Sequence, residues 1–138
     1  MKEQNMALVQ TLYDAFGRGD VETILAHLAD NVEWRVEGPA AIPYAGARRG
    51  TKEVARFFEA IGNADDNPKL QMDEYMADGD TVAVLGRYRA TAKKTGKRID
   101  TAVAHVFTIQ AGKVTRFLEF MDTAHVADAH TARAGAAG

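Results

Sequence analysis

The sequence predicts an α+β domain: helices come first, and a curved antiparallel sheet follows that they close into a cone with an internal pocket. Three observations carry this. Apolar residues keep helical spacing in residues 3–28 and 51–61. Strand-like runs separated by short turns fill residues 69–122. Strand 98–109 is apolar on both faces: Ile99, Val103, Phe107 and Ile109 share one with His105, and Ala102, Ala104 and Val106 share the other. Three helices cover only the concave side of a bent sheet, so the convex side is expected to pack on a second copy of the chain, as a homodimer.

Leu8, Leu12 and Phe16 recur every fourth position with Val9 and Tyr13 beside them, which predicts a first helix over 3–16. Gly17-Arg18-Gly19 stops it, and Asp20 is placed to cap a short second helix marked by Ile24, Leu25 and Leu28. Val32, Trp34 and Val36 alternate with Glu33, Arg35 and Glu37, the pattern of a half-buried strand. Residues 38–50 read as a long loop. Thr51 is a candidate N-cap for a third helix with Val54, Phe57, Phe58 and Ile61 inward, stopped by Gly62 and the polar run Asn63–Pro68. Strands are expected at 69–77, 81–92, 98–109 and 114–122. The turns between them are Asp78-Gly79-Asp80, Lys94-Thr95-Gly96 and Gln110-Ala111-Gly112, giving an antiparallel meander. A single domain is expected over 1–123. Residues 124–138, rich in Ala, Thr, Gly and His, are expected to form a loose tail.

With 138 residues, 46% hydrophobic and 26% charged, the chain has the balance of one globular domain. A formal net charge of −2 supplies no field to gather nucleic acid or anionic lipid, so neither is expected as a partner. The lack of cysteine excludes disulfides, thiolate metal sites and a cysteine nucleophile. No apolar run approaches the ~18 residues of a membrane span. Met1-Lys2-Glu3-Gln4-Asn5 lacks the apolar core of a signal peptide. The expectation is a soluble cytoplasmic domain. His27, His105, His125 and His130 have no metal-ligand spacing, so no metal is expected. Gly17-x-Gly19 follows a helix rather than a strand and makes no nucleotide fingerprint. No nucleophile-elbow pattern is present, and the Lys93-Lys94 and Lys97-Arg98 pairs read as a solvated hairpin tip.

The turns set an expected register. If Lys94-Thr95-Gly96 and Gln110-Ala111-Gly112 are three-residue loops with Gly in the left-handed position, Lys93 faces Lys97 and Ile109 faces Lys113. His105 then lies opposite Leu85 and Phe117, and Val103 lies opposite Arg87 and Glu119. Directly opposed residues share a face, so Arg87, His105 and Glu119 would stand on one side of the sheet. A two-residue turn in either hairpin would flip a strand.

Several segments together resemble a family. Leu12-Tyr13-Asp14-Ala15-Phe16-Gly17-Arg18-Gly19-Asp20 is similar to its Y-x-A-F-x-x-G-D helix–turn motif, and Tyr44-Ala45-Gly46-Ala47-Arg48-Arg49-Gly50 to its G-x-x-R-G entry to the third helix. Gly79-Asp80-Thr81-Val82 resembles its G-D-x-V turn. Ala111-Gly112-Lys113-Val114 followed by Phe117-Leu118-Glu119-Phe120-Met121-Asp122 resembles its G-K-I ending and closing acidic strand. Over residues 5–123 the chain resembles the SnoaL-like group of the nuclear transport factor 2-like superfamily, which includes ketosteroid isomerases. The resemblance implies a cone-shaped, cystatin-like α+β barrel, a dimer, a deep apolar pocket and no obligatory cofactor. In SnoaL-like polyketide cyclases a His on one strand and an Asp 14 residues later serve the pocket; His105 and Glu119 have that separation, with Glu in place of Asp. In ketosteroid isomerases the base lies on the first strand. The matching stretch here, Trp34-Arg35-Val36-Glu37, turns Trp34 and Val36 inward, and neither is a base. His105 stands where that family has a protonated carboxylic acid, and Tyr13 lies one position from its helix-one phenol. Steroid isomerisation by the same machinery is therefore not implied.

Glu119, flanked by Phe117, Phe120 and Met121, is a candidate general acid or base, because a charge among apolar neighbours is costly without a role. Its alternative role is an ion pair with Arg87 or Arg89. His105 would orient Glu119 or hydrogen-bond a substrate oxygen; otherwise it is a satisfied core histidine. Arg87 would stabilise an oxyanion or neutralise Glu119. Trp34, Tyr44, Phe16, Phe58, Phe117 and Met121 are the candidate walls of a pocket for an apolar or weakly polar small molecule. The expected function is acid–base chemistry on a carbonyl compound, by cyclisation or isomerisation, with epoxide hydration a third option. Two rival readings are a non-catalytic apolar-ligand-binding dimer module of the same fold and a structural dimer module whose cavity its own side chains fill.

Overall fold

A computed structural model of the chain describes residues 2–132. Helix α1 (Lys2–Gly17) buries Val9, Leu12 and Ala15. Gly19, at φ +70, lets the chain reverse, and Asp20 caps α2 (Val21–Ala26) by accepting from the Thr23 amide at 3.1 Å. The Thr23 hydrogen bonds hold the Asp20 carboxyl below the usual carboxylate range. Leu28, expected at the end of that helix, instead opens strand β1 (Leu28–Val36), where Val32, Trp34 and Val36 are buried.

The expected loop 38–50 contains a further strand, β2 (Gly46–Arg49), paired antiparallel with β1. Its sequence Gly-Ala-Arg-Arg has no apolar alternation, so periodicity cannot reveal it. Helix α3 (Thr51–Ala64) is capped by Gly50 at φ +84 rather than by Thr51, and it runs past Gly62. Strand β3 (Asp65–Asp78) begins four residues before the expected 69. Pro68 is tolerated because β3 is an edge strand and its register shifts between Asp66 and Lys69. Strands β4 (Thr81–Ala92), β5 (Arg98–Gln110) and β6 (Lys113–Met121) complete a curved, unclosed sheet in the order β2-β1-β6-β5-β4-β3. The β3–β6 meander is antiparallel as expected. The whole sheet is mixed, however, because β1 runs parallel to β6. Helix α4 (Thr123–Ala129) replaces much of the expected loose tail: Asp122 caps it, and Val126, Ala129 and His130 are buried. Residues 133–138 of that tail lie outside the described residues.

Both hairpins differ from three-residue loops. Between β4 and β5, Ala92 bonds Lys97 across the four residues Lys93–Gly96. That moves the pairing by one, so Arg87 faces Ala102 and turns to the outer face. Between β5 and β6 the loop is Ala111-Gly112, with φ of +51 and +75, the signature of a two-residue type I′ turn. That too would flip β6, but the register shifts again between Ile109↔Val114 and Thr108↔Arg116, leaving Thr115 as an extra residue. The two steps cancel, and His105 stands directly opposite Glu119 on the inner face.

The three N-terminal helices pack on that inner face and on one another, α1 against β3 and β4 and α3 against β1, β2 and β3. The core is the inner face itself, where Val82, Val84, Tyr88, Ile99, Val103, Phe107 and Phe117 are all buried. Gly86 belongs to the same face. A Cβ there would lie 2.2 Å from the Gln71 carbonyl oxygen, so only glycine lets β3 cross this closely, beside its irregularity between Met72 and Glu74. Among the described residues no helix is long and apolar enough to cross a membrane.

Candidate functional site

Register converts the inner face into rows. One row is apolar: Val82, Phe107, Phe117 and Trp34 lie side by side across β4, β5, β6 and β1. Trp34 stacks on Phe117 with ring centres 4.0 Å apart. The next row is Val84, His105, Glu119 and Val36. The third is Gly86, Val103 and Met121, and the fourth pairs Tyr88 with Thr101. Polar and apolar rows therefore alternate along the sheet.

A cavity lies between these rows and the helices. Its empty space totals about 650 Å³, part of it open to solvent, and the centre of a water molecule can visit about 60 Å³ of it. The space is thus a narrow slot. Leu12, Tyr13, Phe57, Phe58, Leu70 and Val103 supply much of its wall.

At the second row, His105 Nε2 lies 3.2 Å from Glu119 Oε2; the two side chains are only 4% and 12% exposed. The approach is close, yet the angle is wrong for a hydrogen bond, and buried Nε2 has no aligned partner. The other ring nitrogen, Nδ1, is 2.7 Å from the Tyr13 hydroxyl on α1. Burial foremost, then Tyr75 and Glu119, push the Tyr13 phenol well above its ordinary range, so it stays protonated. Two proton arrangements are self-consistent. With Glu119 ionised, Tyr13 donates to Nδ1 and the ring carries its proton on Nε2. With Glu119 protonated, the carboxyl donates to Nε2 and Nδ1 donates to the phenol oxygen. One proton taken up at Glu119, with the ring hydrogen moved from Nε2 to Nδ1, converts the first into the second, so the chain Tyr13–His105–Glu119 can hold one proton more or one fewer at the cavity.

A second polar cluster borders the fourth row. Asp65, fully buried at the start of β3, accepts on Oδ2 from Tyr44 at 2.9 Å and Tyr88 at 2.7 Å. Its Oδ1 lies 2.7 Å from His130 Nε2, and His130 Nδ1 lies 3.0 Å from the Val126 carbonyl oxygen. Burial first, and then the Asp65 charge, raise both phenols above their ordinary range.

A family model for the SnoaL-like domain matches residues 9–117. The chain belongs to that family. An uncharacterized protein of Mycobacterium tuberculosis is 31% identical to this SnoaL-like chain over 121 residues, 86% of it and 88% of the relative. An NTF2-like protein of Burkholderia pseudomallei superposes with a TM-score of 0.87 at 31% identity, covering 94% of this chain and 98% of that one. A structure described as a SnoaL-like polyketide cyclase from Jannaschia shares the fold at TM-score 0.83 and 18% identity, with coverage of 96% and 95%.

Within this SnoaL-like fold the residues singled out from the sequence divide cleanly. His105, Glu119, Trp34, Tyr44, Phe16, Phe58, Phe117 and Met121 all line the cavity. Arg87 does not. It is on the outer face, bonded through Nε to Asp100 Oδ1 at 2.8 Å, with both side chains more than two-fifths exposed. Arg89 also meets Asp100, and bonds Gln71, so neither arginine neutralises Glu119. Sequence reasoning missed Tyr88, Asp65 and His130 and left Tyr13 unassigned. The even-numbered inward parity of β4, with Val82, Val84, Ala90 and Ala92 buried, could have placed Tyr88. No comparable signal marks Asp65 in its polar run. Among the described residues, no group of three or more His, Asp or Glu side chains could hold a metal.

Proposed function

We propose that this SnoaL-like protein moves a proton next to a carbonyl of an apolar or weakly polar small molecule, isomerising or cyclising it with its own side chains. The observation that carries this is the 3.2 Å approach of His105 to Glu119 at the wall of an apolar cavity, with Nε2 left without an aligned partner. A buried donor without a bond is held ready for a ligand oxygen. Glu119 takes a proton from the carbon beside the carbonyl, the C–H pair moves into the enolate, and His105 Nε2–H hydrogen-bonds the developing oxyanion. Tyr13 holds the ring in that tautomer. In isomerisation the proton returns from Glu119 to a different carbon. In cyclisation the enolate carbon bonds to a second carbonyl carbon of the same molecule, and the resulting alkoxide takes the proton.

Proton exchange tests this without knowledge of the natural substrate. 2-Tetralone in D₂O is expected to exchange its α-protons faster with the protein, as followed by NMR, and Glu119→Gln should abolish the acceleration while folding is kept. Equal exchange with Glu119→Gln and the unaltered protein removes Glu119 from the mechanism. Binding without any exchange, weakened by substitutions at Trp34, Tyr44 and Phe58, would instead support the ligand-binding module.

We also infer that the outer face is covered by a second copy. Leu85, Ala104 and Phe120 form one apolar row there, and Met76, Ala83, Val106 and Leu118 the next. Met76, Leu85 and Phe120 are 49%, 38% and 45% exposed in the single chain. Sedimentation at micromolar concentration should give a dimer; a monomer would overturn the inference.

A further inference from the structure

We propose that Tyr44 and Tyr88 form an acceptor pole in the cavity, which selects molecules carrying a hydroxyl donor at the end remote from Glu119. The proposal rests on the cavity being the site of the reaction above, and it adds the chemical class of what enters.

Every proton in the Asp65 cluster can be placed. His130 Nδ1 faces a carbonyl oxygen, which can only accept, so Nδ1 carries a hydrogen. One further proton lies between His130 Nε2 and Asp65 Oδ1. Whichever of the two atoms holds it, Asp65 Oδ2 is bare, and both phenols point their single proton at that oxygen. Tyr44 and Tyr88 therefore have no hydrogen left to donate. What remains on each oxygen is lone pairs, made more basic by the hydrogen bond each phenol already gives. A ligand carbonyl or ether at this pole meets lone pairs and is repelled, whereas a ligand hydroxyl is bound.

Register gives the spacing. Tyr88 is opposite Thr101, two rows from His105 along β5, so the backbone positions of the two poles are about 13 Å apart at a strand's rise, and the Glu119 charge still acts on both phenols. Thr101 is itself engaged, donating to the Ala102 carbonyl and accepting from the Asp122 amide. Between the poles lie Val103 and Met121 with Gly86, which contributes no side chain. The molecule that matches is elongated and apolar in its middle, with a carbonyl for His105 and Glu119 at one end and a hydroxyl for the two tyrosines at the other.

Isothermal titration with 2-naphthol and 2-methoxynaphthalene tests it, since the two differ in the donor. The unaltered protein should bind 2-naphthol at least tenfold more tightly. Tyr44→Phe/Tyr88→Phe should bring that preference below threefold, and Glu119→Gln should leave it intact. Tyr88→Phe alone should give an intermediate ratio, which serves if the double variant does not fold. Equal binding of the two compounds, or binding of neither, overturns the proposal. So does a preference that survives the double variant, or one that Glu119→Gln removes, because the donor would then sit on Glu119. No preference in the unaltered protein, with its 2-tetralone exchange observed, sinks the acceptor pole alone; a preference without exchange sinks only the proton-transfer reading.

Discussion

At Asp65 every polar atom has a partner: two phenols on one carboxyl oxygen, an imidazole on the other, and a carbonyl behind the imidazole. At Glu119 the imidazole is nearly as close, but it is not aligned, and among the described residues its side chain bonds only to Tyr13. Both clusters are carboxylate, histidine and tyrosine, and both border one cavity. The same side chains thus serve two ends. A saturated network joins elements distant in sequence, here β3, β4, the loop bearing Tyr44, and α4. The unsaturated one keeps a hydrogen to give to something that arrives; the saturated one has spent its hydrogens and has only tyrosine lone pairs left to offer.

Substitutions can break this contrast. Glu119→Gln keeps the shape and removes the charge, so exchange of 2-tetralone should fall by about 10² to 10⁴, the usual share of an acid–base group, while thermal stability is unchanged. Asp65→Ala should do the opposite in kind: it strands His130 and two phenols, and should lower stability by about 3–5 kcal/mol in urea unfolding. If Asp65→Ala were neutral and Glu119→Gln unfolded the protein, the two roles would be reversed.

Alkaline pH sharpens the comparison. Burial raises Tyr13, Tyr44 and Tyr88 above their ordinary range, so the folded state keeps protons that the unfolded chain releases. Their contribution is fully present below the unfolded value of about 10 and is lost as pH rises past it, by about 1.4 kcal/mol per pH unit for each tyrosine. Stability in urea should therefore fall between pH 10 and 11, and Tyr13→Phe should remove about a quarter to a third of the slope, the rest belonging to the Asp65 cluster and to Tyr75, which burial also raises. The smallest effect is expected at the β5–β6 turn. Ala111 sits at φ +51, and Ala111→Asn should add about 0.5–1 kcal/mol without touching either cluster.

Much of this was legible in the sequence. The helix stripes, the meander and the glycine turns are local patterns, and the structure keeps them. The apolar lining was legible too, because Trp34, Phe117 and Met121 obey strand parity. What escaped was decided by one-residue steps and by distance. Arg87 was lost to a loop of four residues instead of three. Strand β2 has no hydrophobic period at all. The tail hid His130 because α4 is held by its cap and by long-range bonds, such as Thr95 and Lys97 to its last carbonyls, and not by an apolar period. Asp65 and His130 are 65 residues apart, and no local rule joins them.

Thr115 has a consequence for how this site can vary. It has no partner in the ladder, so the pairing of Arg116–Met121 does not depend on it, whereas a one-residue step beyond it moves every later pair. Deleting Thr115 would only straighten the strand and leave Glu119 opposite His105, whereas deleting Leu118 would carry Glu119 to the outer face and bring Phe120 opposite His105, erasing the chemistry while leaving a strand of nearly the same composition. Lineages descended from such a deletion would keep the shape of the vessel and lose what it does.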